Sequence, residues 1–169
     1  MTAVVPLWVP VATALAGMGG ALGSQFLSHY FAARREKKAA DKKLASERAY
    51  IGSQLMIILA GFRVQCHEFS RFQVKDDGIL PRPKAPDFSR VKGDWTVLDG
   101  VLQLRIHRLA FLRTQHEARL DAVFEEYTDG HEYRETASDV YQKLVGECDG
   151  IIQELSTLCA LPSPWSLDE

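Results

Sequence analysis

From Thr2 to Ala33 the chain carries no Asp, Glu, Lys or Arg, and no other feature restricts its fold as strongly. A helix from about Leu7 to Leu27 would be roughly 31 Å long, the thickness of the hydrocarbon core of a bilayer. The competing reading is a buried helix of a soluble protein, but a core helix needs a shorter apolar run. The stretch "ATALAGMGGALGSQFL", Ala12 to Leu27, also raises the question of a phosphate-cradling loop. Gly17, Gly19, Gly20 and Gly23 match neither G-x-G-x-x-G nor G-x-x-x-x-G-K-[ST]. A secretory signal places positive charge ahead of its apolar run, whereas here the charge follows it.

The flanks fit a membrane span. Trp8 stands at one end and His29, Tyr30 and Phe31 at the other, like aromatic residues at two membrane interfaces. "ARREKKAADKK" follows, and the positive-inside rule puts such a cluster in the cytoplasm and the uncharged N-terminus outside. Within the span Ala12, Ala16 and Gly20 recur every fourth residue, as do Gly19 with Gly23 and Gly17 with Ala21. Small residues on one side let helix backbones approach closely, so the expected consequence is self-association. The plainer reading is that Gly and Ala are frequent in membrane helices.

Charge is distributed unevenly along the chain. Of 20 basic and 22 acidic residues, seven basic and three acidic lie between Arg34 and Arg48, so the remainder is acidic. Arg34, Arg35, Lys37, Lys38, Lys42 and Lys43 form a cluster suited to anionic lipid head groups, at about 1 kcal/mol per basic residue near the surface. It serves equally as a topology determinant on a solvated helix. The acidic body argues against nucleic acid as a partner.

Beyond the span the chain reads as all-α. No Pro occurs from Ala32 through Phe72, and Leu44, Ile51, Leu55, Ile58, Phe62, Cys66 and Phe69 form a stripe at helical spacing. "QLMIILAGF" is too short for a second span and lies between Arg48 and Arg63, so it reads as the most buried part of the bundle. Val74 to Asp94, with its prolines and glycines, is a long connection, partly extended. Asp94 is placed to cap a helix running to Tyr127, with Trp95, Leu98, Leu102, Leu109, Leu112, Leu120 and Phe124 near one face. After the turn Thr128–Gly130, a third helix carries Tyr133, Ala137, Val140, Leu144, Cys148, Ile151, Leu155 and Leu158 at nearly heptad spacing. The expected organisation is a transmembrane anchor at 1–31, a basic juxtamembrane helix at 32–48, a small antiparallel cytoplasmic bundle at 49–160 and a loose tail at 161–169.

No catalytic constellation is evident. His67, His116 and His131 each precede a Glu, but none continues to a second His at metal-ligating spacing, and only His131 and Glu135 are four apart. Cys66 and His67 are adjacent and diverge on a helix. The odd set Cys66, Cys148 and Cys159 lies on apolar stripes, as expected of buried free thiols. The expectation is a non-enzymatic chain with no metal and no cofactor.

The layout "GGALGSQFLSHYFAARREKKAADKKLASERAYIGSQL" resembles the uncharacterised single-span, membrane-anchored helical proteins of bacterial prophages and phages. The resemblance covers about the first third of the chain. It implies the bacterial inner membrane and a phage-related role in superinfection exclusion or defence, and it transfers no catalytic residue. The function expected is an anchored interaction or scaffold module, with lipids, further copies of itself and another protein as partners. The alternative is a holin-like or toxin-like effector whose spans assemble into a pore.

Overall fold

The computed structural model describes residues 8–71, 74–75, 78–79, 81–126 and 131–166, with side chains from residue 29 onward except those of 74–79. Three helices dominate: α1 (Trp8–Arg71), α2 (Gly100–Glu126) and α3 (His131–Cys159). The chain divides into two units, Met1–Lys43 and Leu44–Glu169. The division falls ahead of the 48/49 boundary expected from charge, because Arg48 belongs to the bundle. Its Nε donates to the Val97 carbonyl at 2.8 Å, and its own carbonyl accepts from Cys159 Sγ at 3.3 Å.

In the second unit the stripe on α1 supplies one wall of the core. Ile51, Leu55, Leu59, Phe62, Cys66 and Phe69 are buried at steps of three and four, which is the recurrence of one helical face. α3 runs antiparallel to this wall. Arg63 holds Asp149 through Nε at 2.7 Å and Nη2 at 3.3 Å, and Gln142 Nε2 donates to Ser70 Oγ at 3.0 Å near the other end. Gly52 faces Cys159 so closely that a Cβ there would lie 2.4 Å from the sulfur, so glycine is required by the approach of the two helices.

α2 is antiparallel to α3, with Arg105 bonded to Glu154 near one end of the pair and Phe124 against Tyr133 near the other. It is therefore parallel to α1, and the antiparallel pairs are α3 with α1 and α3 with α2, the latter the hairpin expected from the short turn. Parallel neighbours need a connection that travels the length of the bundle, and the Pro-rich segment supplies it. A two-residue antiparallel pair, β1 (Val74–Lys75) with β2 (Gly78–Ile79), begins the return. Arg82 Nη1 then donates to Asp121 at 2.6 Å and Arg113 Nε to the Pro83 carbonyl at 3.0 Å. Farther along, Gln54 exchanges two hydrogen bonds with the Lys92 backbone at 3.1 and 3.2 Å. Gly93, at φ 132°, passes Ile51 where a Cβ would clash at 2.7 Å.

Asp94 caps a short 3-10 turn, Trp95–Val97, by accepting from Thr96 N at 2.9 Å, and does not start α2 as expected. Asp99 does so, accepting from Val101 N at 2.8 Å. Gln103 Nε2 ties the two turns together through the Trp95 and Leu98 carbonyls.

Some expected stripe residues lie outside the core. Phe124 is 67% exposed and Leu44 and Leu158 are 37% exposed, while Leu59, Ile106, Tyr141, Val145 and Ile152 are buried. A straight helix drifts about 20° per heptad, so the buried face of α3 moves past Leu158 to Cys159. Leu44 precedes the part of α1 that the other helices cover, and Phe124, in the last turns of α2, lies edge-on to Tyr133. The tail is docked as far as the 3-10 turn Pro164–Ser166: Leu161 N bonds the Ser156 carbonyl at 3.1 Å, and Arg63 lies over the Trp165 ring at 4.8 Å. The turn Thr128–Gly130 lies outside the described residues.

Tyr141 is fully buried, with its ring edge-on to Phe69 at 4.8 Å, and its hydroxyl has no hydrogen-bond partner among the described residues. A buried hydroxyl without a partner costs about 1 kcal/mol or more. Tyr141→Phe is therefore expected to raise the stability of the detergent-solubilised chain by about 1 kcal/mol. A lower melting temperature for the variant would show that the hydroxyl is satisfied.

Candidate interaction surfaces

Every residue from Arg34 to Lys43 is solvent-exposed. At about 100° per residue the cations of the basic cluster do not ring the helix evenly. Phe31, Arg34, Arg35, Lys38 and Lys42 share one face, Lys37 and Lys43 flank it, and Glu36 and Glu47 lie opposite. Phe31, Arg34, Arg35 and Lys38 line a common shallow depression. Arg35 is oriented by a 3.3 Å bond from its Nε to the Phe31 carbonyl. The side chains of Ala12, Ala16, Gly17, Gly19, Gly20, Ala21 and Gly23, the expected packing face of the span, lie outside the described residues; their backbone belongs to α1.

Within His29–Arg71, α1 is long and apolar enough to cross a membrane by length and composition, and 39% of the qualifying stretch is buried inside the structure. The charges between Arg34 and Arg48 confine that stretch to the C-terminal end of α1, where the same apolar residues form the wall of the core.

The bundle also presents apolar surface that its own core does not use. On α1, Tyr50, Ile57 and Val64 recur every seventh residue, with Ile57 71% exposed. Beside them a groove of about 380 Å³ opens between Ile57, Ile58, Gly61 and Phe62 of α1 and the returning segment at Lys84, Pro86 and Arg90. A second groove of about 270 Å³ continues along Gln65, Glu68 and Phe69 to Pro81–Lys84. The returning segment thus gives an apolar floor a rim of mixed charge, Lys84 beside the Asp87–Arg90 ion pair. α2 carries a further exposed set, Val101, Leu104 and Phe111, interrupted by Arg108. Sequence reasoning assigned apolar residues only to the core; the sevenfold recurrence of Tyr50, Ile57 and Val64 was the available signal for a second face.

The titratable groups behave as structural residues. Burial raises the Cys66 thiol and pushes the Cys148 thiol up to about 12, so both stay protonated and unreactive at neutral pH. All three cysteines are buried and free. Among the described residues no group of three or more His, Cys, Asp or Glu is placed to hold a metal ion. Trp95 stacks on His107 at 5.1 Å, and Phe88 meets the same ring edge-on at 6.3 Å, which pins the end of the returning segment to α2.

Burial holds the His116 imidazole below its usual range, with Lys143 and Arg119 acting in the same direction. Because the folded pKa is the lower one, the unfolded chain takes up the proton first as pH falls below about 6.5. Stability is therefore whole above that pH and declines as pH drops toward the folded value. His116→Gln should flatten this decline in chemical denaturation curves between neutral and mildly acidic pH; an unchanged slope would assign it elsewhere.

No family model, curated protein or solved structure matches this chain.

Proposed function

We propose that the chain is a single-span, membrane-anchored interaction module without enzymatic activity. The uncharged run from Thr2 to Ala33 crosses the bilayer, the N-terminus faces outward, and the basic cluster holds the bundle in the cytoplasm. The observation that carries the interaction role is the exposed apolar face of Tyr50, Ile57 and Val64 beside an open groove. Contiguous apolar surface that a fold leaves uncovered marks a site of association. Copies assemble through the Gly/Ala-rich span, and the cytoplasmic face recruits a protein partner. The resemblance of its layout to single-span helical proteins of prophages and phages supports a phage-related exclusion or defence setting at the bacterial inner membrane.

The test is crosslinking of the full chain in membranes. Gly19→Leu and Gly20→Leu keep the span apolar but block close backbone approach, so each is expected to reduce crosslinked oligomers several-fold while insertion is unchanged. Ile57→Glu is expected to leave those oligomers intact. Oligomers that persist in both Leu variants and vanish in the Glu variant would move self-association to the cytoplasmic helices. Dye entry on overexpression that both Leu variants abolish would replace the module with a pore former.

A further inference from the structure

The cations of the basic cluster lie at unequal heights above the membrane. This inference rests on the anchored reading above. If the span ends near Leu27, Arg34 and Arg35 stand about 10 to 12 Å beyond it, Lys38 about 16 Å and Lys42 about 22 Å, at 1.5 Å per residue. The head-group layer is about 5 to 8 Å deep and the Debye length at physiological salt adds about 8 Å. A helix standing along the bilayer normal would hold Arg34 and Arg35 within reach of anionic lipid and leave Lys42 beyond it.

The one-sided placement changes this. Arg34, Arg35, Lys38 and Lys42 share a face with Phe31, which is 51% exposed, while Glu36 and Glu47 point away from it. Asp41 lies at the edge of the face beside Arg34, and Lys37 and Lys43 lie outside it on either side. Tyr30, 57% exposed and edge-on to Phe31 at 5.8 Å, adds a second aromatic ring where the helix meets the interface. Among the described residues none of Arg34, Lys38 and Lys42 is held in an ion pair by the chain's own carboxylates.

We propose that this face binds anionic phospholipid head groups, with Phe31 seated at the interface and α1 emerging inclined toward the face so that Lys38 and Lys42 reach the lipid surface. The cluster is then a directional lipid contact that sets how the helix leaves the membrane, beyond its role as a topology signal. An inclination of about 30°, inside the 0–40° range of membrane helices, brings the Lys42 ammonium, about 8 Å from the helix axis, down to about 15 Å.

Two charge-matched single variants at adjacent heights separate the face from net charge. Lys38→Gln removes a cation from the face; Lys37→Gln removes one from its flank. Full-length chain is reconstituted in phosphatidylcholine vesicles containing a minor fraction of phosphatidylglycerol. Its selectivity for spin-labelled phosphatidylglycerol over spin-labelled phosphatidylcholine is then read by electron paramagnetic resonance at physiological salt. The unsubstituted chain should prefer the anionic lipid. The face variant should lose up to about fivefold of that preference per cation, and the flanking variant should retain most of it. Equal losses in the two variants, or no preference in the unsubstituted chain, overturn the proposal. Free glycerol phosphate that abolishes the preference would reassign the cations to a soluble phosphate and also overturn it. Carbonate extraction of the reconstituted chain reports separately on the anchor: a chain released into the supernatant defeats the anchored reading and this proposal together.

Discussion

Everything in the second unit depends on covering one face of α1, from Ile51 to Phe69, with two helices that run in opposite directions. A single neighbour would leave half of that apolar stripe in water. α3 approaches so closely at Gly52 that its Cys159 sulfur occupies the space of a side chain. α2 completes the enclosure only by running parallel to α1. That choice obliges the chain to carry its backbone the length of the bundle between them, and the polar groups of the returning segment must be satisfied along the way. Arg113, Gln54 and Arg48 reach the Pro83, Lys92 and Val97 carbonyls from the helices, and Arg82 ties the segment to Asp121. The grooves beside α1 are a by-product of the same device, because a thin Pro-rich segment covers less of a helix than another helix would.

What could be read from the residues follows this division. The helical stripes were legible because burial imposes a recurrence of three and four, and Ile51, Leu55, Phe62, Cys66, Leu102, Leu109, Leu144, Cys148, Ile151 and Leu155 are all buried where the pattern put them. The long connection was legible from its prolines. Its direction was not, since nothing local in "GILPRPKAPDFSR" distinguishes a hairpin loop from a return crossing; the deciding contacts, Arg113 with Pro83 and Gln54 with Lys92, join residues 30 and 38 positions apart. The start of α2 was misplaced because Asp94 and Asp99 offer the same capping chemistry, and the difference lies in Gln103 reaching back to Trp95 and Leu98.

The candidate surfaces were legible in kind and not in arrangement. Composition located the basic cluster, but its resolution into one face with Phe31 follows only from helix geometry. The exposed set Tyr50, Ile57 and Val64 was hidden by an assumption that serves core residues well, that apolar side chains at helical spacing face inward. On α1 there are two such faces, one buried by α2 and α3 and one left open next to Lys84 and Arg90.

The central claim is that the bundle is tethered to the membrane from the cytoplasmic side. The native thiols are buried and stay silent toward alkylating reagents, so a cysteine introduced at an exposed position of α2 reports alone. Gln115→Cys in the full chain, treated with a membrane-impermeant maleimide, should remain unlabelled in intact bacteria, become labelled after permeabilisation, and sediment with the carbonate-resistant membrane fraction. Labelling in intact cells, or labelled chain recovered in the soluble fraction, would contradict the account.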